Sequence, residues 1–184
     1  MKKELLWIWL VMLAASQAPA NAQSSEANQR MQERITREVR HELVMLPQLT
    51  IFDNLAYKVD GNTVTLLGQV RNPVLKDAAE RAVKGIEGVE RVHNKIEILP
   101  LSPGDDRIRN AVARAIFNDG RLFRYSLGAV PPIHIIVNRG HVTLEGVVDN
   151  QADKDTAGIR ANGVPGVFSV QNNLRVENAT ALKK

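Results

Sequence analysis

The sequence predicts an α+β protein made of two tandem copies of one αββαβ unit, each a three-stranded sheet with two helices packed on one face. The first observation is an internal repeat, because residues 61–70 return with small changes at residues 140–148. The second is that Val64-Thr65-Leu66 and Val142-Thr143-Leu144 alternate between apolar and polar residues, as half-buried strands do. The third is that each copy begins with an apolar stripe at helical spacing.

The repeat extends well beyond the strand motif. Matching Gly68 to Gly146 places equivalent residues 78 positions apart, and that spacing holds without a gap to the end of the second copy. Upstream the spacing is 73, since the stripe of Ile35, Val39 and Leu43 matches Ile108, Val112 and Ile116. The chain is therefore a tandem duplication. The second copy carries about five extra residues between Phe117 and Ile133, and the two copies can differ in role there.

Each copy begins with a helix that is identified by its apolar stripe. In the first copy Ile35, Val39 and Leu43 recur every four residues, which places them on one face. In the second copy the helix follows Pro103-Gly104, which favours a helix start, and Asp105 or Asp106 is the expected N-cap.

A hairpin, a second helix and a last strand complete each unit. Gly68 and Gly146 are expected where a side chain would not fit, at a bulge or against a packed helix. Gly85 and Gly163 are expected to end the second helices as C′ glycines. The remaining predicted elements are strands at 55–59 and 133–137, turns at 60–62 and 138–140, helices at 74–84 and 151–161, and last strands at 89–99 and 167–176.

The N-terminal segment is predicted to be a signal peptide covering residues 1–22. Lys2 and Lys3 precede an apolar run at 5–15, and Ala20-Asn21-Ala22 supplies small residues for cleavage after Ala22. The alternative is an uncleaved anchor that leaves the same domains outside the cytoplasm. The predicted domains are residues 26–99 and 105–178, with a linker at 100–104 and a flexible tail at 179–184.

The residue types present argue against an enzyme and against a metal or cofactor site. The chain has no Cys, which excludes disulfides, thiolate catalysis and iron–sulfur ligation. Its four histidines are scattered, and no metalloprotease, nucleophile-elbow or phosphate-loop motif occurs. The GxxG sequences at 85–88 and 163–166 could resemble the nucleotide clamp of a KH module, but a turn from helix to strand explains them better. The formal net charge of +4 is too modest to predict a nucleic-acid partner.

Positive charge is concentrated at the start of the second copy. The first copy is balanced, whereas residues 107–124 hold five arginines and one aspartate. Arginines beside aromatic residues suit an anionic bilayer surface, because the charges attract lipid headgroups and the rings enter the interface. The alternative is that the aromatic residues only pack beneath a long loop. The candidate lipid-binding residues are Arg107, Arg109, Arg114, Phe117, Arg121, Phe123, Arg124 and Tyr125.

The motifs of both copies resemble those of a tandem BON-domain protein. The family pattern Gly-x-Val-x-Leu-x-Gly-x-Val is present at 140–148, and its Val-x-Gly-Val-x-x-Val-x-Asn-x-Leu strand is present at 164–174, with the matching strand of the first copy at 86–96. The resemblance implies a periplasmic, non-catalytic protein. It also implies contact with anionic phospholipid through the first helix of the second domain, at Arg107, Arg109, Arg114 and Phe117. The chain departs from lipoprotein members in lacking a lipid-carrying Cys, and its second copy has an enlarged loop.

The predicted function is peripheral binding to an anionic phospholipid membrane surface by an exported envelope protein that supports envelope integrity or a stress response. The alternative is a periplasmic protein-interaction or chaperone-like module, which would hold envelope proteins through its sheet edges or the loop at 121–132.

Overall fold

A computed structural model describes residues 20–128 and 131–177, with side chains from Glu26 onward. Most of the predicted signal peptide and the predicted tail at 179–184 lie outside the described residues. Within those residues, no helix combines the length and the apolar character needed to cross a bilayer.

The first repeat has the predicted order of elements. The sheet order is β1-β2-β3, with β1 antiparallel to β2 and β3 parallel to it. A short strand, β4, continues the parallel pairing with β2 beyond the end of β3. The elements are α1 (Ala20–Val44), β1 (Asn54–Asp60), β2 (Thr63–Val70), α2 (Pro73–Lys84), β3 (Arg91–Asn94) and β4 (Glu97–Ile98).

The second repeat has the same topology, with one addition. A short 3₁₀ helix, Phe123–Ser126, lies in the extra segment between the first helix and the hairpin. The other elements are α3 (Pro103–Phe117), β5 (Ile133–Asn138), β6 (His141–Val148), α4 (Gln151–Asn162), β7 (Ser169–Asn172) and β8 (Arg175–Val176). The α+β prediction is confirmed.

The single last strand predicted for each repeat is interrupted by an asparagine. The side chain of Asn94 accepts from the Ile96 amide and donates to the Lys76 carbonyl of α2. The side chain of Asn172 makes the equivalent bonds with Leu174 and Lys154. These side-chain bonds satisfy backbone groups where the strand is broken and tie it to the second helix.

The predicted helical stripes form the two cores. In the first repeat Ile35, Val39 and Leu43 are buried, together with inward-facing residues of β2 and α2. In the second repeat Val112 and Ile116 are buried and Ile108 is partly buried against them. Each repeat therefore buries the helix face that its periodicity indicates, and the helices cover one side of the sheet.

Gly68 and Gly146 lie where the second strand approaches the backbone of the first. Both have positive φ, at 109° and 123°. A Cβ at Gly146 would overlap the carbonyl oxygen of Pro132, and one at Gly68 would overlap that of Asn54. The prediction that a side chain would not fit is confirmed, and the obstacle is the neighbouring backbone rather than a helix.

The ends of the second helices differ in detail from the prediction. Gly85 and Gly163 do follow the last helical residues, but their φ angles of −77° and −78° are right-handed. The left-handed residues are Gly88 and Gly166, three positions later. Gly85 and Gly163 therefore lack the left-handed conformation expected of C′ glycines. The turn to the last strand is made instead by the second glycine of each GxxG sequence.

The start of α3 also differs from the prediction. Ser102 is the N-cap, and its hydroxyl accepts from the Asp105 amide. The helix begins at Pro103, so the last two residues of the predicted linker are helical. The Asp105 carboxylate is buried and accepts from the amides of Arg139 and Gly140. Asp105 therefore fastens the β5–β6 turn to the helix instead of capping it.

The two repeats are joined along the outer edge of β5. The Ile51 carbonyl, in the loop before β1, accepts from the Ile135 amide at 2.7 Å. The Asp53 carbonyl bonds the His134 Nδ1 at 2.7 Å. An ion pair of 3.2 Å between Arg71 and Asp106 also spans the repeats. These contacts cover part of an edge that would otherwise present unpaired backbone groups.

The contact between the repeats is expected to weaken in acid. Burial lowers the pKa of His134 below its ordinary 6.5, an effect larger than the opposing influence of Asp53 and Glu145. The unfolded chain therefore binds the proton more readily, so His134 contributes stability above about pH 6.5 that is lost as the pH falls below it. We expect the midpoint of urea unfolding to fall more between about pH 7.5 and about pH 5.5 in the natural protein than in His134→Gln. An equal fall in both proteins would contradict the prediction.

Candidate functional site

The outward face of α3 carries two of the predicted arginines. Arg107 and Arg114 are seven residues apart, about two helical turns, and both are exposed. Asn110 and Asn118 lie on the same face, whereas the apolar stripe faces the core. No ion pair forms at either arginine within the residues that the structure describes. Both charges are therefore available to an external anion.

Arg109 does not belong to this face. Its side chain is 2% exposed, and it donates to the carbonyl of Val137 on β5 and to the carboxylate of Asp106. The sequence prediction of Arg109 as a lipid-binding residue is wrong. The reason is that its position on the helix points at the end of the hairpin, where a backbone carbonyl and Asp106 accept its hydrogen bonds.

Arg124 and Tyr125 are held by the start of α4. Arg124 forms ion pairs with Asp149 and with the buried Asp153. The buried Tyr125 hydroxyl donates to Asp153 at 2.6 Å and accepts from the Asp149 amide at 2.9 Å. Burial raises the pKa of Tyr125, so the hydroxyl keeps its proton and remains a donor. The Tyr125 ring is buried, and the Arg124 charge is compensated by carboxylates. The prediction that Arg124 and Tyr125 contact lipid is therefore wrong.

The first part of the extra segment is therefore fixed to both ends of α4. Besides the Arg124 pairs, Asp119 forms an ion pair of 2.7 Å with Arg160 in the last turn. The hydrogen bonds from the Arg121 amide and from Arg160 lower the pKa of Asp119. Residues 119–125 are therefore held against α4.

Two apolar side chains of this segment point away from the core. Phe123 is 53% exposed and Leu127 is 69% exposed, and Arg121 beside them is exposed as well. Phe117, by contrast, is half-buried and packs against the core of the second repeat. The alternative that the aromatic residues pack beneath the loop thus holds for Phe117 and Tyr125 but not for Phe123.

Removing the Tyr125 hydroxyl is expected to destabilise the second repeat. In Tyr125→Phe the Asp149 amide and the Asp153 carboxylate each lose a buried partner, which costs about 1–3 kcal/mol in free energy of unfolding. The matched control is Tyr57→Phe in the first repeat, where the hydroxyl makes one bond to the Thr36 carbonyl. Urea unfolding and protease cleavage within 118–132 measure the effect. Equal losses in the two variants would contradict the role assigned to Tyr125.

Sequence reasoning missed two exposed apolar residues elsewhere in the second repeat. Ile159 on α4 is 71% exposed, and Phe168 before β7 is 78% exposed. At the spacing of the duplication they correspond to Arg81 and Glu90 of the first repeat. The replacement of charged by apolar residues between the two copies is the sequence feature that could have identified these two positions. Within the described ranges, no group of three acidic or histidine side chains could hold a metal ion.

Comparison with known proteins identifies the repeats. The family model "BON domain" matches residues 32–100 and 104–178, which are the two structural units. The chain belongs to the BON family. Its first BON domain contains α1 to β4 and its second BON domain contains α3 to β8. The GxxG sequences of both BON domains lie in the turn from helix to strand, as the sequence interpretation preferred.

The chain is similar to two curated relatives. The chain is 32% identical over 145 residues to Osmotically-inducible protein Y of Escherichia coli, covering 78% of this chain and 71% of the relative. It is 31% identical over 112 residues to Outer membrane lipoprotein DolP of Haemophilus influenzae, covering 58% of this chain and 54% of the relative. The chain thus spans about half the length of the second relative.

A solved structure also resembles the chain, but weakly. It is the C-terminal domain of CdsD, a structural protein of the type III secretion system of Chlamydia trachomatis. The match has a TM-score of 0.31 and 13% identity, and it covers 76% of this chain and 96% of the other. No structural conclusion follows from a likeness of that size.

Proposed function

We propose that this protein binds peripherally to anionic phospholipid surfaces through its second BON domain. The observation that carries the proposal is that three arginines on α3 and the extra segment, Arg107, Arg114 and Arg121, are exposed without an ion pair among the described residues, in the same part of the second domain as the exposed Phe123 and Leu127. We call these five residues the arginine surface. Free guanidinium groups suit phosphate, because they form planar, paired hydrogen bonds with its oxygens.

The expected binding is weak and reversible. Each basic residue near an anionic membrane contributes about 1 kcal/mol, so three arginines supply about 3 kcal/mol. Phe123 and Leu127 are already partly covered, and entering the interface would bury only their remaining apolar surface. These small electrostatic and apolar contributions support weak membrane binding that high salt reverses.

The other predicted site residues support this surface indirectly. Arg109 connects α3 to β5, and the pairs of Arg124 and Tyr125 fix the extra segment to α4. Phe117 belongs to the core. We therefore assign to these four residues the task of positioning the arginine surface.

We place the protein in the cell envelope, in the periplasm after export by a signal peptide cleaved after Ala22. Support comes from the names of the relatives, an osmotically inducible protein and an outer-membrane lipoprotein. We assign no catalytic activity, no cofactor and no nucleic-acid partner. A role in envelope integrity or stress response fits a binding domain of this kind.

Vesicle binding tests the proposal. The full chain is sedimented with vesicles of phosphatidylglycerol and phosphatidylcholine, and with vesicles of phosphatidylcholine alone, across a range of salt concentrations. We expect binding to the anionic vesicles that falls as salt rises, because screening shortens the reach of the arginine charges to about 8 Å at physiological ionic strength. Equal binding to both vesicle types, or binding to neither, would contradict the proposal.

The alternative function, protein interaction through the sheet edges, has less support from the structure. The β5 edge is partly covered by the loop of the first BON domain. The opposite edges consist of β3 with β4 and β7 with β8, strands of four and two residues. Capture of envelope proteins on the immobilised chain would favour this alternative if vesicle binding failed.

A further inference from the structure

The helical layer of the second BON domain has lost carboxylates that the first BON domain keeps. In the first domain Arg37, Glu38, Glu42 and Glu87 line an open groove between α1 and α2, with His41 and Arg81. At the spacings of the duplication, Glu38 and Glu42 become Ala111 and Ala115, and Glu87 becomes Pro165. At the same six positions Arg37 and Arg81 are replaced by Asn110 and Ile159, and His41 by Arg114, so their formal charge changes from −1 in the first domain to +1 in the second.

Two further replacements add exposed apolar side chains to the second domain, one on α4 and one in the loop before β7. Arg81 is replaced by Ile159 and Glu90 by Phe168, and both new side chains are largely exposed. Each position is charged in the first domain, where water solvates it. Exposing a large apolar side chain to water is unfavourable, so two of them in the domain that carries the arginine surface indicate a surface that is covered in use.

The Phe168 ring is held in a fixed place at the first turn of α3. Its amide donates to the Gly140 carbonyl at 2.9 Å, and its ring centre lies 6.0 Å from that of His141. A Cβ at Gly140 would collide with the ring, so the glycine makes room for it. Gly140 in turn donates to Asp105 of α3. Phe168 is therefore fixed beside the end of α3 that carries Arg107.

Phe123 and Leu127 lie at the other end of the same helix. The Phe123 amide donates to the Asp119 carbonyl, and the Asp119 amide donates to the Ile116 carbonyl in the last turn of α3. The helix has 15 residues, a length of about 22 Å. Asp155, one turn before Ile159 on α4, is exposed and marks the limit of the apolar region there.

We infer that α3 lies flat on the bilayer, with Phe168 entering the interface beside its first turn and Phe123, Leu127 and Ile159 entering it beside its last turn. Ile159 is placed there because the neighbouring Arg160 pairs with Asp119, which follows that turn. This inference rests on the proposed function and adds an orientation and two contact residues to it. The arginines between the apolar contacts then face the lipid phosphates. An anionic bilayer suits this surface because it presents an apolar interface and a negative charge layer together.

Single labelled cysteines test the orientation. The chain contains no Cys, so an environment-sensitive fluorophore reports only the introduced position. The variants are Phe168→Cys and Ile159→Cys, with Glu90→Cys as the matched control from the first domain. With phosphatidylglycerol vesicles we expect a blue shift and roughly twofold brighter emission at 168 and 159, and no change at 90. Quenchers attached to the lipid chains should dim the same two positions.

The outcomes separate this inference from the proposed function. If the unlabelled chain sediments with anionic vesicles but the labels at 168 and 159 behave like the one at 90, the inference is overturned and the proposed function stands. If the unlabelled chain does not sediment, both fail. As a check without labels, Phe168→Ala should weaken vesicle binding about tenfold with an unchanged unfolding temperature, since the ring is exposed. Unchanged binding of Phe168→Ala would also overturn the inference.

Discussion

Changing both Arg107 and Arg114 to glutamate should abolish measurable binding to anionic vesicles. Removing two charges of about 1 kcal/mol each weakens binding roughly 30-fold, and the added carboxylates repel the lipid phosphates in addition. Both side chains are exposed and make no ion pair in the described structure, so the fold should be unaffected. Sedimentation with phosphatidylglycerol vesicles measures the loss, and thermal unfolding verifies the fold.

The control is the same reversal in the first BON domain. Arg37 and Arg40 are exposed on α1, and that domain keeps acids on its helical layer. Arg37→Glu with Arg40→Glu changes the net charge by the same amount and should leave most of the binding intact. If the two double variants lost binding equally, net charge and not the arginine surface would be responsible. The assignment to the second domain would then be wrong.

Substituting Gly146 by alanine should unfold the second BON domain or destabilise it by about 3–5 kcal/mol. Gly146 combines a φ of 123°, which L-residues rarely adopt, with a position where Cβ overlaps the Pro132 carbonyl. The β5–β6 pair cannot accept the methyl group without separating at this point. Amide hydrogen exchange should show lost protection in β5 and β6.

A second glycine of the same domain provides the control. Gly120 lies in the extra segment, and no atom lies within 4 Å of the place that an alanine methyl group would take, so Gly120→Ala should change stability by less than about 0.5 kcal/mol. Protection of β1 and β2 in the first domain should stay high in both variants, apart from residues at the contact with β5. Equal stability of Gly146→Ala and Gly120→Ala would contradict the close approach of the strands.

The two domains show how a duplicated fold acquires a new surface. Residues of the core keep their character, so Val64 and Leu66 correspond to Val142 and Leu144, and all four are buried. On the outside, four acids of the first domain, Glu38, Glu42, Glu87 and Glu90, are replaced by alanine, proline and phenylalanine. Because exposed positions contribute little to stability, such changes leave the fold intact and alter what the surface can bind.

The amino-acid sequence by itself determined the duplication, the α+β class, the helical stripes and the hairpins. These features depend on local periodicity and on spacing along the chain, which do not require knowledge of distant contacts. The stripe of Ile35, Val39 and Leu43 is buried as predicted, and the glycine positions in the motif strands are required by the backbone. Arg107 and Arg114, two of the candidate lipid-binding residues, are exposed.

Only the tertiary structure decided which charged and aromatic residues remain free. Arg109 is buried against β5, where it donates to the Val137 carbonyl. That partner lies 28 residues further along the chain. Tyr125 is enclosed by the start of α4 through a similarly long-range contact with Asp153. The joining of the domains at Ile51 and Ile135, and the placing of Phe168 beside α3, likewise depend on residues far apart in sequence. A pattern along one helix fixes the direction of a side chain, but its partner comes from another element, and burial depends on that partner.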